Sequence, residues 1–189
     1  METLFKVIRS KVNLSQELTT AIKENFVCQE YPKKTQLLRE HQYCQKLFFL
    51  EKGTIRTFYY HNGKDISSWF YNEGNFVSSW YSFYNQAPSF EYIETLDDCT
   101  IYFIDYHNYQ KLLEKYSSFE RFGRLMLEEQ VAFVDFYSKG YMFLSAKERY
   151  KLLLEYFPDV ELRVKLGDIA TYLGITQETL SRIRSSKKS

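Results

Sequence analysis

Cysteine is scarce in this chain, and long apolar runs are absent. The three cysteines, Cys28, Cys44 and Cys99, are odd in number and widely spaced. Such spacing argues against a disulfide framework or a zinc site and favours reduced thiols in the cytoplasm. No stretch approaches the roughly 18 apolar residues of a membrane span, and charged side chains interrupt the N-terminal region where a signal peptide would need an apolar segment. We therefore expect a cytoplasmic protein without a metal, a cofactor or membrane contact.

Motifs of the common enzyme classes are also missing. The sequence contains no phosphate-cradling glycine-rich loop, no Gly-x-Ser-x-Gly and no His-Glu-x-x-His. Its histidines, His41, His61 and His107, stand apart from one another, which favours surface or core positions over metal binding. We therefore do not expect an enzyme.

Net charge is nearly absent, at +1 over 189 residues, but it is unevenly distributed. Residues 163–189 carry six basic and two acidic side chains, a net of +4, which leaves −3 for residues 1–162. A basic end on a near-neutral body is a weak indication of nucleic-acid binding.

The pattern of the N-terminal half predicts one helix followed by short strands. Apolar residues recur every four positions within 13–27, which predicts a helix that Asn13 could cap. From 35 to 106, short aromatic and β-branched runs alternate with turn residues, which is typical of a sandwich or barrel-like roll. The tetrapeptide His61-Asn62-Gly63-Lys64 predicts a tight hairpin turn, because Asn-Gly readily adopts positive φ angles.

Beyond Tyr106 the period becomes helical, with helices predicted at 108–116 and 119–140 and a third from a Ser145 cap to Phe157. The helix at 119–140 is apolar enough to be buried on more than one side. Periodicity alone leaves two explanations equal: packing on its own β domain, or contact with a second copy.

The segment 166–184 has the residue types that a helix-turn-helix requires. Ala170 is small where the second helix would cross the first, Gly174 suits a left-handed turn, and Thr176 can cap the second helix. This arrangement predicts an exposed face able to contact base edges and phosphates. We expect the DNA-contacting side chains to be Thr176, Gln177, Glu178, Ser181, Arg182, Arg184 and Lys187.

The strands and motifs together resemble the cyclic-AMP receptor and fumarate-nitrate regulator (Crp-Fnr) family of bacterial transcription factors. Leu-Phe-Phe-Leu-Glu-Lys-Gly at 47–53 is similar to a strand-turn signature of that family, and Glu-Thr-Leu-Ser-Arg at 178–182 is similar to its Glu-x-x-Ser-Arg pattern. The resemblance implies an α+β fold with three parts. These are a double-stranded β-helix (jelly-roll-like) sensor domain of the cyclic-nucleotide-binding type at 1–107, linking and dimerisation helices at 108–144, and a winged-helix-type helix-turn-helix at 145–189.

The same resemblance favours the dimer explanation for the long helix and implies TTGA-like half-sites in an inverted repeat. The expected dimer contacts are Phe122, Met126, Phe133, Phe136 and Tyr137. Residues 158–166 are short for a full wing hairpin, so we expect a reduced wing.

The family's effector pocket has a Gly-Glu pair, which aligns with Ser78 and Ser79, and a phosphate-binding Arg, which aligns near Ser89. Trp80 offers aromatic surface beside them. No Lys or Arg occurs between Lys64 and Lys111, so a buried phosphate would lack a cation from this segment. We therefore expect no control by cyclic AMP, and either an unknown non-anionic effector or none.

These observations predict a DNA-binding regulator whose partners are double-stranded DNA and a second copy of the chain, with RNA polymerase a further candidate. The alternative is a small-molecule-binding roll whose helix-turn-helix no longer reads DNA.

Overall fold

Two short helices, an antiparallel β-roll and a C-terminal set of helices follow one another along the chain. The structure, a computed structural model, describes residues 1–185, the side chain of Met142 excepted. The strands are β1 (Val27–Tyr31), β2 (Gln36–Leu38), β3 (Lys46–Lys52), β4 (Ile55–His61), β5 (Lys64–Tyr71), β6 (Phe76–Val77), β7 (Tyr92–Thr95) and β8 (Cys99–Asp105). The helices are α1 (Glu2–Arg9), α2 (Gln16–Asn25), α3 (Trp80–Asn85), α4 (Tyr106–Lys115), α5 (Ser117–Gly140), α6 (Ala146–Tyr156), α7 (Val160–Arg163), α8 (Leu166–Tyr172) and α9 (Gln177–Ser185). Lys187 lies outside the described residues.

The strands form two four-stranded antiparallel sheets, in the orders β1-β8-β3-β6 and β2-β7-β4-β5. The predicted hairpin turn between β4 and β5 is confirmed, with φ of +51° at Asn62 and +73° at Gly63. The predicted roll is also confirmed, although the short strands β1, β2 and β6 were not predicted.

The first helical region differs from the prediction. Helix α2 begins at Gln16 and is capped by Ser15, whose Oγ accepts from the backbone N of Leu18 at 3.1 Å. The expected Asn13 cap is therefore wrong, because the Ser15 hydroxyl satisfies the free N–H at this helix start. Helix α1 was not predicted, although its spacing buries Leu4 and Ile8.

The cap and the end of α6 were predicted correctly, whereas the wing was not. Ser145 and Glu148 form a capping box, and the helix ends at Tyr156, before Pro158. In place of a wing hairpin, the segment after Pro158 folds into the one-turn helix α7, and all elements of the described part of 145–185 are helical.

Two apolar cores stabilise the molecule. The first unites the roll with α1, α2, α4 and the first half of α5. The second unites the C-terminal helices with Phe70 and Leu96 of the roll. The C-terminal helices therefore pack against the roll of the same chain. Within the part of the chain that the structure describes, no helix is both long and apolar enough to cross a membrane.

Candidate functional site

Helices α8 and α9 meet at a tight turn, and the residue types predicted for that turn occupy their expected places. Ala170 is buried, and its carbonyl oxygen accepts from the backbone N of Ile175 at 3.0 Å. Gly174 has a φ of +66°, the left-handed conformation expected of it. Thr176 caps α9, because its Oγ1 accepts from the backbone N of Thr179 at 3.2 Å. We call these two helices and their turn the α8–α9 unit.

The outer face of α9 carries a group of exposed polar side chains. Thr176, Gln177, Glu178, Ser181 and Arg182 are all exposed. Glu178 and Arg182 form an ion pair one turn apart, and their side chains are 75% and 73% exposed. Because exposed i,i+4 pairs stabilise a helix only weakly, this pair can separate at little cost when another partner is present.

Arg184 does not belong to this face. Its side chain is about one-third exposed, and Nε lies 2.5 Å from Oε1 of Glu161. Tyr150 also donates to the same carboxylate. The predicted outward position of Arg184 is therefore wrong, because α7 places Glu161 beside it. No local pattern indicated this contact, which joins residues more than 20 positions apart.

The predicted dimer contacts on α5 divide into two groups. Phe122 and Met126 are buried in the first core, so their assignment to a dimer interface is wrong. Phe133 and Tyr137 are half-buried beside Trp69 of β5, with ring centroids 4.9 Å from it in both cases. Phe136 remains 47% exposed. Among the five predicted contacts, Phe136 is therefore the exposed one.

Two arginines form ion pairs between the C-terminal helices and the roll, and no local sequence pattern predicts either pairing. Arg163 of α7 forms a bidentate pair with Glu73 at 2.8 and 2.5 Å. Buried Arg56 of β4 lies 3.3 Å from Asp168 of α8 and also pairs with Asp65 at 2.7 Å. The hydrogen bonds from Arg163 hold the pKa of Glu73 down at about 2.

The predicted effector residues do not all face one cavity. A cavity of about 550 Å³ lies between the roll, α5 and α6, and Ser78 and Trp80 line it. Ser79 and Ser89 are fully buried instead, with their Oγ atoms 3.0 Å apart. Neither of them is among the residues that line this cavity.

Among the described residues, no basic side chain lines the cavity, and Glu91 is its one charged lining residue. Burial raises the pKa of Glu91. Within residues 1–185, no His, Cys, Asp and Glu side chains gather into a group of three that could hold a metal ion.

Comparison with known proteins identifies the roll and the overall architecture. Residues 28–116 match the model of the cyclic nucleotide-binding domain. No curated protein sequence matches the chain. Among solved structures, a CooA mutant from Carboxydothermus hydrogenoformans is 21% identical, with a TM-score of 0.70 over 98% of this chain and 84% of CooA.

Two further structures show the same fold. A crp/fnr-family protein from Eubacterium rectale is 19% identical, with a TM-score of 0.68 over 90% of this chain and 82% of that protein. FixK2 from Bradyrhizobium japonicum is 20% identical, with a TM-score of 0.68 over 85% of this chain and 83% of FixK2.

The fold and the matched segment define a protein with a cyclic nucleotide-binding-type roll followed by a helical C-terminal part. More particularly, the chain has the architecture of the Crp-Fnr regulators, and the resemblance predicted from its sequence is confirmed.

Proposed function

We propose that this protein is a cytoplasmic, sequence-specific DNA-binding transcription regulator rather than an enzyme, and that it acts as a homodimer. The observation that carries the proposal is the exposed face of α9, where Gln177, Glu178, Ser181 and Arg182 occur together on a capped helix. Arg can bond a guanine edge bidentately, and Glu can accept from the amino group of cytosine. The face therefore offers donors and acceptors suited to reading a major groove.

Selection of bound fragments from a random DNA pool tests this proposal. We expect enrichment of an inverted repeat whose half-sites are about 10 base pairs apart, since paired recognition helices enter successive major grooves. The resemblance implies TTGA-like half-sites. A pool that stays random after repeated selection would contradict DNA reading and would favour a roll that binds only small molecules.

The proposed dimer contact is the exposed part of the second half of α5. Val131, Val134 and Phe136 are 67%, 59% and 47% exposed there, which is unusual for large apolar side chains. Val131 also lines a largely apolar groove of about 680 Å³ beside the same helix. A second copy of α5 would cover part of this apolar surface, with Phe136 as the residue proposed to lie in the contact. The pairing would also set the distance between the two α9 helices.

The proposed regulator does not respond to cyclic AMP or cyclic GMP. The cavity between the roll, α5 and α6, which Ser78 and Trp80 line, has one carboxylate and, among the described residues, no cation in its lining, so a cyclic phosphate buried there would be left uncompensated. Calorimetry with either nucleotide should give no binding heat. Binding in the micromolar range would contradict this part of the proposal.

A further inference from the structure

The cavity between the roll, α5 and α6 is rich in aromatic lining residues. Eight of its eighteen lining residues are Phe, Tyr or Trp, and they include Trp69 and Trp80, the only tryptophans of the sequence. Trp69 and Tyr71 come from β5, Phe133 and Tyr137 come from α5, and Tyr156 comes from α6. Its volume of about 550 Å³ suits a small organic ligand.

The charge carried by the side chains that line this cavity is negative. Glu91 is the one charged side chain among the eighteen described residues that line it, and these include no Lys, Arg or His. Burial raises the pKa of Tyr71, and the charge of Glu91 raises it further. The carboxylate therefore lies close to the aromatic wall, and no basic residue among those eighteen offsets it.

Aromatic faces and a carboxylate favour the same kind of ligand. The face of an aromatic ring is electrostatically negative and attracts cations, most strongly where water is excluded. A half-buried carboxylate in a cavity without cationic lining gains from an incoming positive charge, whereas an anion would be repelled. Apolar rings also bind the apolar body of a ligand through the hydrophobic effect.

We propose that this cavity binds a small organic cation, an amine or ammonium compound with an apolar body. Its positive head lies against Glu91 and the nearby ring faces, and its apolar body packs between β5 and α5. The site exists whether or not the chain binds DNA.

Contacts of Trp69 connect the cavity to the α8–α9 unit. The Trp69 ring lies 5.6 Å from that of Tyr172 in α8, and the hydroxyl of Tyr172 lies 2.5 Å from that of Tyr137. A ligand against Trp69 and Tyr137 therefore touches side chains that pack on α8. The description of this ligand as an effector rests on the proposed DNA-binding function, whereas its binding does not.

The proposal is tested with three probes that each carry a phenyl ring on a short alkyl chain and differ in the charge of the end group. They are 2-phenylethylamine, a cation at neutral pH, 2-phenylethanol, which is neutral, and 3-phenylpropanoate, an anion. Binding is measured on the full chain without DNA, by calorimetry and by quenching of tryptophan fluorescence, because both tryptophans line the cavity. We expect the amine to bind about tenfold more tightly than the alcohol and the anion to bind most weakly.

Three variants test whether the carboxylate of Glu91 causes the preference for the amine over the alcohol. Glu91→Gln should bring the amine-to-alcohol affinity ratio close to one while leaving alcohol binding unchanged. Gln130→Glu adds a second carboxylate to the wall and should raise the ratio, which keeps the test decisive if Glu91→Gln does not fold. Glu30→Gln removes the same charge from an exposed position of β1 and should leave the ratio unchanged.

Equal binding of amine and alcohol, tightest binding of the anion, or no response to any of the three probes at about 1 mM would overturn the proposal. If the cavity shows no preference for the amine, the DNA site found by selection is unaffected. Failure of the DNA selection leaves the affinity ratio unaffected, so the two outcomes are distinguishable.

Discussion

Arg182 is the residue whose substitution most directly reports on base reading. Its guanidinium is exposed and pairs with Glu178 of the same helix. Arg182→Ala should cost about 1–3 kcal/mol on the selected site and relax base preference at one position, because a bidentate base contact is lost. Fluorescence anisotropy on specific and random duplexes measures both effects.

The matched control for that substitution is Arg121→Ala, an exposed arginine on α5 away from the α8–α9 unit. It should leave binding to both duplexes almost unchanged. An equal loss on specific and random DNA for Arg182→Ala would assign that side chain to phosphate contact rather than base reading.

At the scale of single residues, the sequence predicted the turn and cap residues of the α8–α9 unit. It did not predict contacts between residues that lie far apart in sequence. Gly174, Thr176 and Ala170 were identified because a tight turn between helices restricts residue type locally. Arg184 was misplaced because its partner Glu161 belongs to a helix that the sequence did not predict. Ser79 and Ser89 were aligned with the family's effector pocket, but their mutual contact depends on long-range packing.

Among the elements, α5 is the one whose two halves have different surroundings. The apolar residues Phe119, Phe122 and Met126 of its first half are buried within the same chain, whereas its second half exposes Phe136. Phe136→Asp should convert a dimer to monomers, because it places a charge in an interface that would otherwise be apolar. Sedimentation equilibrium measures the molecular mass in solution.

Thr20→Asp, which adds the same charge to an exposed position of α2, is the control and should leave the dimer intact. A monomeric wild-type chain, or a Phe136→Asp variant that pairs as tightly as the wild type, would remove α5 from the proposed interface.

Element type was more predictable than element surroundings. The period of 3.6 residues identified α5, but periodicity cannot say whether an apolar face meets the same subunit or a second one. Phe122 and Met126 therefore appeared equivalent to Phe136 in sequence, although the fold buries the first two. The one-turn helix α7 was missed because four residues are too few for a periodic pattern.

At the scale of the whole molecule, Arg163 joins the C-terminal helices to the roll through ion pairs. It pairs with Glu73 at 2.5 Å and approaches Asp97 at 3.6 Å, and both carboxylates belong to the roll. Arg163→Ala should lower the free energy of unfolding at neutral pH by roughly 1–2 kcal/mol, since these pairs are partly exposed and screened by solvent. Urea denaturation measures the difference.

The effect of Arg163→Ala should depend on pH. Folding lowers the pKa of Glu73 from 4.5 to about 2, so its stabilising contribution is present above pH 4.5 and is lost as the pH falls towards 2. The difference between wild type and variant should therefore shrink over that range. Lys139→Ala, which breaks an exposed pair with Asp135, should have almost no effect at any pH. A difference that persists undiminished at pH 2 would instead indicate that Arg163 acts through its packing over Phe157.

The division of the chain at 107/108 and 144/145 stays a prediction, and the two cores do not follow it closely. The first core extends through Met126, and the second includes Phe70 and Leu96 of the roll. Contacts of this kind join residues far apart in sequence, and a single sequence carries no local signal for them. The architecture as a whole was predictable, because strand runs, turn residues and the α8–α9 unit are each marked locally.

Footprinting on the selected DNA site tests the central claim most directly. Dimethyl sulfate methylates guanine N7 in the major groove, so a recognition helix seated there protects the base. We predict protection at two positions about 34 Å apart on one face of the duplex, and its loss in Arg182→Ala. Protection of a single half-site, or unprotected guanines at saturating protein, would contradict a dimer that reads DNA through α9.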